Sequence, residues 1–157
     1  MQKITTFLWY DDKAEEAANF YVSIFKNSKI TRVTRYGEAG PGQNGTVMTV
    51  TFQLESQQFC ALNGGPLFPF TEAISLWVNC ETQAEVDELW EKLSTGGKKD
   101  QCGWLKDKYG LSWQIIPSAL IEMLQDKDAK KSAAVTRAML QMGKIDIQIL
   151  KDAYSQG

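Results

Sequence analysis

Gln114 stands between Trp113 and Ile115 in the stretch CGWLKDKYGLSWQIIP, residues 102–117. The stretch reads as an edge segment, a tight turn at Tyr109-Gly110 and a strand that ends in proline. Alternation along that strand puts Ser112, Gln114 and Ile116 on one face and the apolar neighbours Trp113 and Ile115 on the other. A long neutral amide on a sheet face either reads a ligand or joins an internal hydrogen-bond network, and both readings of Gln114 stand at this point. The rest of the chain narrows the chemistry. It contains no histidine, which removes the commonest general base and the commonest metal ligand. A Ser-His-Asp or Cys-His mechanism is therefore impossible within the chain. A metal site would have to be built from carboxylates, amides, hydroxyls or thiols.

The remaining candidates each have a plain structural reading beside the functional one. Ser75, Trp77 and Asn79 share a face of one strand, and Phe7 and Trp9 stand in another. Aromatic walls with a few neutral hydrogen-bonding groups are how a pocket for a flat or moderately polar organic molecule is lined. The tryptophans read equally as core, Trp113 in particular. Asn63 precedes Gly-Gly-Pro and has the makings of a turn former as well as a pocket residue. Asp11, Asp12, Glu15 and Glu16 gather at a helix start, where the helix dipole accounts for them. Asp107 reads as a turn residue. Cys60 and Cys80 read as small packing residues; Cys102, beside Gly103, is the best placed for exposure, but one thiol without a base is weak ground for nucleophilic work.

Two passes of one pattern must position these groups. A strand at about Lys3–Tyr10 leads to a helix at about Lys13–Phe25, with Asp12 and Glu15 in capping-box spacing. Strands follow near Lys29–Tyr36, Thr46–Leu54 and Gln58–Asn63, with GEAGPGQNG (37–45) as a loop and Glu55-Ser56 as a hairpin turn. The pattern restarts with a strand at Ile74–Cys80 and a helix from Thr82, which forms a capping box with Glu85, through Ser94. Gly96-Gly97 stops that helix, and short strands run to Pro117. This is strand–helix–strands twice, about 3–63 and 74–117, and internal duplication explains it best. The tail reads as three helices, Ala119–Leu124, Ser132–Met142 and Ile145–Tyr154, with DKDAKK (126–131) as a solvated connector.

At 157 residues the chain fits one compact domain. The net charge of −2 supplies no basic excess to neutralise phosphates, so nucleic acid is not an expected partner. No apolar run approaches the roughly 18 residues needed to cross a bilayer, so no membrane partner is expected either. Three cysteines without C-x-x-C spacing and an N-terminus without a signal-peptide layout give a cytoplasmic expectation.

The segments FLWYDDxAEEAxxFY (7–21), ALNGGP (61–66), SLWVNCETQAEVDELW (75–90) and CGWLxDxYGLSWQIIP (102–117) carry a family resemblance. Across residues 1–117 the sequence resembles the vicinal oxygen chelate superfamily of glyoxalase, bleomycin-resistance and extradiol dioxygenase proteins. It is especially similar to the PhnB-like branch, often labelled 3-demethylubiquinone 3-methyltransferase-like, which AMLQMxKIDI (138–147) in the tail also matches. The resemblance implies an α+β fold: two tandem β-α-β-β-β modules, about 1–63 and 74–117, forming an open curled sheet or cup. Residues 118–157 add a helical extension to the same globular unit.

In metal-binding members one ligand comes from each of four strands. The matching positions are Thr5 or Thr6, a residue near Cys60–Leu62, Ser75 and Gln114. Thr, Ser and Gln stand where His and Glu are usual, so no metal and no other cofactor is expected. The methyltransferase label has no support in the sequence, because no Gly-rich turn links a strand to a following helix.

These readings converge on a metal-free binder of an unknown small organic molecule, with a pocket from Phe7, Trp9, Asn63, Ser75, Trp77, Asn79 and Gln114. The alternative is an enzyme of the superfamily's lyase, isomerase or dioxygenase kind with an unusual site. Resemblance also implies a homodimer, formed with the cup inside one chain or by exchange between two.

Overall fold

The structure, a computed structural model, describes residues 2–157. The chain divides into two compact units, Met1–Phe70 and Thr71–Gly157. The first unit contains β1 (Thr6–Tyr10), α1 (Ala14–Ile24), β2 (Lys29–Arg35), β3 (Val47–Leu54) and β4 (Gln57–Asn63). Its four strands form one sheet in the order β1-β4-β3-β2. β1 runs parallel to β4, and the other pairs are antiparallel. Alternation fixes the two faces. Tyr21 of α1 packs on Phe52, which stacks on Phe59, so Phe52, Phe59 and their cross-strand partner Thr6 lie on the helix side. Leu8 and Tyr10 share that side and are buried.

Two local expectations change here. The first strand starts at Thr6, three residues later than the pattern suggests. The Asp12 capping box does not form: the residue at the helix start is Lys13, which makes no side-chain cap. The first free N–H of the helix, that of Ala14, donates instead to Asn63 Oδ1 at 2.8 Å. A side-chain acceptor from the far end of the sheet thus does what a local cap usually does. The β3–β4 hairpin turns through Glu55 and Ser56, both with positive φ, the backbone that two-residue hairpins need.

The second unit repeats the arrangement with β5 (Ser75–Cys80), α2 (Gln83–Ser94), β6 (Lys98–Lys99), β7 (Trp104–Lys106) and β8 (Ser112–Pro117). Its strand order is β5-β8-β7-β6, with β5 parallel to β8. First strand beside last, and last beside third, is the same order as in the first unit. Thr82 Oγ1 accepts from the Glu85 N–H at 3.2 Å and caps the helix as expected, while Glu85 Oε1 accepts from the Glu81 N–H at 2.8 Å, one residue before the position a capping box uses. Val86, Leu89, Trp90 and Leu93 of α2 are buried, as are Leu105, Trp113 and Ile115 on the sheet.

The tail folds as α3 (Ser118–Leu124), α4 (Ala129–Met139) and α5 (Ile147–Gln156). Helix α4 begins inside DKDAKK, which is therefore not a connector: Asp128 Oδ1 accepts from the Lys130 N–H and caps it. Asp146 caps α5 through the Ile149 N–H. The helices bury Leu120, Val135, Met142, Ile145 and Leu150 around Ile116 of β8. The chain just before β7 is bonded to the tail through Cys102 N–H to Met142 O and Gly103 N–H to Gly143 O, each 2.8 Å. Gln83 at the start of α2 donates to Ile145 O and accepts from the Ile147 N–H. Among the described residues no helix is long and apolar enough to cross a membrane.

Candidate functional site

Strand register builds a candidate surface on the side of the second sheet that faces away from α2. Trp77 pairs with Gln114, and Gln114 with Trp104. Partners in register point to the same side, so the amide lies between two indoles in one row across β5, β8 and β7. The neighbouring row is Ser75, Ser112 and Lys106. Trp77 is 50% exposed, Gln114 and Ser75 partly so.

Gln114 and Ser75, expected together from the sequence, are in contact: Gln114 Nε2 donates to Ser75 Oγ at 2.9 Å. That bond uses one amide proton and leaves the amide oxygen and the Ser75 proton for other partners. Ser112 is 1% exposed, and its Oγ is a buried side-chain oxygen without a hydrogen-bond partner. A buried hydroxyl left in that state costs about 1–3 kcal/mol. Lys106 Nζ forms an ion pair with Glu72. That ammonium holds the Glu72 carboxyl below its ordinary range, chiefly by hydrogen bonding. Asn79 shares the face through its partner Ile116 and takes a hydrogen bond from Ser118 Oγ at 3.2 Å, at the edge toward α3.

The turn behind this surface is held by one carboxylate. Asp107, 2% exposed, accepts from the Tyr109 and Leu111 N–H groups through Oδ1, and from Trp113 Nε1 at 2.9 Å through Oδ2. Asp107 and Trp113 are therefore structural, as the sequence suggests, and together they fix the register that places Lys106 beside Ser112 and Trp104 beside Gln114. Trp104 and Lys106 are the site residues that strand alternation in β8 alone did not reach. Continuing the alternation through the turn into β7 finds them.

The first unit's candidates divide differently. Phe7 is 62% exposed on the side away from α1. Trp9 shares that side but is tied down: Nε1 donates to Gly65 O at 2.9 Å, and the ring packs edge-on against Phe68. A Cβ on Gly64 would collide with the Trp9 ring, so only glycine fits there. Thr6 lies on the helix side, opposite Phe7 and Trp9. Asn63 is on the helix side too, and both ends of its amide are bonded, Oδ1 capping α1 and Nδ2 donating to Val47 O. It forms part of a separate cleft of about 490 Å³ lined by Asp11, Asp12, Glu15, Tyr36 and the 41–43 and 63–65 loops.

The metal implied by the superfamily does not fit these donors. Thr6, Ser75 and Gln114 carry no charge, and the Ser75 oxygen already accepts from Gln114. Among the described residues no group of three His, Cys, Asp or Glu side chains could hold a metal ion. Neutral hydroxyls and one amide do not offset the dehydration of a divalent cation. The thiols offer no substitute: Cys60 and Cys80 are buried, and burial pushes the Cys80 thiol up to about 12 and raises that of Cys60. Cys102 is half-buried, with Sγ toward Met139 O.

Against known proteins, the family model described as 3-demethylubiquinone-9 3-methyltransferase matches residues 2–116. The chain is similar to a solved PhnB protein from Bacillus cereus that carries the same methyltransferase description. The two are 45% identical with a TM-score of 0.69, over 74% of this chain and 100% of that one. Protein PA1353 from Pseudomonas aeruginosa shares the fold at 18% identity, with a TM-score of 0.63 over 74% of this chain and 98% of that one. The genomically encoded fosfomycin resistance protein of Listeria monocytogenes, solved with Mn(II) and sulfate, shares it at 17% identity. Its TM-score is 0.55, over 80% of this chain and 98% of that one. No curated protein matches.

Proposed function

We propose a function from one premise: the chain belongs to the family described as 3-demethylubiquinone-9 3-methyltransferase, PhnB-like proteins of the glyoxalase/bleomycin resistance fold. The function is binding of a small organic molecule without a metal ion, on the open face of the second sheet. One observation carries this reading. At two places where metal-binding relatives hold metal ligands, this chain has Ser75 and Gln114 bonded to each other, with an indole on either side of the amide. The arrangement suits a flat ligand that reads hydrogen bonds and rests on aromatic walls.

The family's description names a methyl transfer, and the turns speak against a methyltransferase of the doubly wound kind. The strand-to-helix turns here are Asp11-Asp12-Lys13 and Glu81-Thr82, with none of the glycines that such cofactor turns use. A superfamily-type enzyme is the weaker alternative, because the contacting groups are neutral and no base is bonded to either. A homodimer and a cytoplasmic setting, with three free thiols, complete the proposal.

Native mass spectrometry of protein grown in metal-supplemented medium and purified without added ligand tests it. The expected spectrum shows a dimer, no stoichiometric metal and a retained organic mass. One divalent metal per chain would overturn the metal-free reading.

A further inference from the structure

The second row of the open face adds charge selection to the proposed site, a selection that rests on the binding reading. Ser75, Ser112 and Lys106 stand side by side across β5, β8 and β7. The Ser75 hydroxyl accepts from Gln114, so its own proton is directed elsewhere. The Ser112 hydroxyl is buried and without a partner. Lys106 already holds a carboxylate, that of Glu72, which comes from the segment before β5 and is itself 57% exposed. Two hydroxyls and an ammonium in a line beside a pair of indoles are the complement of a carboxylate joined to a flat ring.

We infer that this face selects planar aromatic acids, the ring lying along the Trp77–Gln114–Trp104 row and the carboxylate replacing Glu72 on Lys106. Glu72 is then a resting stand-in: it keeps the ammonium paired until a ligand carboxylate arrives. Exchange releases Glu72 to water, where a carboxylate is well solvated. It leaves Lys106 paired, and the incoming carboxylate gives Ser112 the acceptor it lacks at rest. The net charge of the face is the same before and after the swap apart from the freed Glu72, so the exposure of Glu72 is what makes the exchange inexpensive.

Calorimetric titration of the full chain with 2-naphthoate and with 2-naphthamide, which share a ring and differ in charge, tests this directly. The expected result is about tenfold tighter binding of the acid, a difference of about 1.4 kcal/mol. Lys106→Met removes the advantage of the acid, so that the two probes bind within about twofold of each other. Glu72→Gln removes the competitor and tightens the acid several-fold without moving the amide. Ser112→Ala weakens the acid without lowering the thermal midpoint, because that hydroxyl has no partner at rest. Equal binding of acid and amide overturns the selection for acids and leaves the binding reading standing. An acid preference that survives Lys106→Met, or a Glu72→Gln variant that binds the acid no better, overturns the exchange. If neither probe binds, the inference falls, and the retained organic mass in the native spectrum decides the binding reading separately.

Discussion

At the end of β4 the last residue in register with β1 is Asn63, opposite Tyr10; at the end of β8 the last residue in register with β5 is Pro117, opposite Cys80. Asn63 gives its side chain to α1, 49 positions away in sequence. Pro117 gives none, and α2 is capped by Thr82 from its own segment. The same contrast runs over the two open faces. In the first module Thr34 and Thr49 bond to each other, Thr51 Oγ1 lies 4.0 Å from Cys60 Sγ, and Trp9 is anchored to Gly65. In the second, Gln114 keeps its oxygen, and the Ser112 hydroxyl has no hydrogen-bond partner. One topology therefore does two jobs. The first copy uses its polar groups to hold itself together, and the second leaves several of them available on an aromatic floor.

Breaking the anchor behind that floor gives the largest effect. Asp107→Ala removes the acceptor of three donors, the Tyr109 N–H and the buried Leu111 N–H and Trp113 indole N–H. The expected loss is about 3 kcal/mol, a thermal midpoint lower by roughly 6–12 °C for a chain of this size, together with loss of probe binding. A variant with unchanged stability would mean the carboxylate does not set the hairpin. Asn63→Ala comes next, at about 1–2 kcal/mol by denaturant unfolding. Probe affinity should not move, because the Asn63 amide serves α1 and not the open face. If affinity fell with it, the division between the two copies would be wrong.

These two variants also mark what the sequence could and could not convey. The repeat of strand, helix and strands was legible from alternation and helical spacing, and so were the Thr82 cap on α2, the Glu55-Ser56 hairpin and the burial of Trp113. Each depends on neighbours within a few residues. The cap on α1 was not legible, because its acceptor arrives only after four strands have paired. DKDAKK looked like a solvated run because its charge hid the cap at Asp128 and the two lysines that open α4. At the site, strand alternation was enough to put Ser75 and Gln114 on one face, where their side chains bond to each other. Thr6 and Asn63 fell on the helix side, where a one-residue change of parity reverses the face. Trp104 and Lys106 sit on a three-residue strand too short to show a period of its own.

Thr82→Ala should cost about 1 kcal/mol, an ordinary capping loss. Hydrogen exchange at the Glu85 amide is the sensitive reading: faster exchange there with α1 unaffected keeps the two capping schemes independent, whereas matching changes in α1 would merge them. The smallest effect belongs to the tail, where the Tyr154 hydroxyl bonds to Asp126. That bond lowers the Asp126 carboxyl and raises the Tyr154 phenol. The sign follows from linkage. The Asp126 share is present above the unfolded carboxyl value of about 3.9 and lost as pH falls through the lowered one. The Tyr154 share is present below the unfolded phenol value of about 10 and lost as pH rises through the raised one. The difference in thermal midpoint between the parent and Tyr154→Phe should stay flat between about pH 5 and pH 9 and shrink beyond either end. A difference that varies within that window would place the titration elsewhere.

The chain has five tryptophans, Trp9, Trp77, Trp90, Trp104 and Trp113, and their indole N–H signals report on both copies at once. In a two-dimensional ¹⁵N spectrum of tryptophan-labelled protein, saturating 2-naphthoate or 2-naphthamide should shift Trp77 and Trp104 and leave Trp9, Trp90 and Trp113 in place. Shifts at Trp9 with Trp77 and Trp104 unmoved would put the ligand on the first copy and contradict the account.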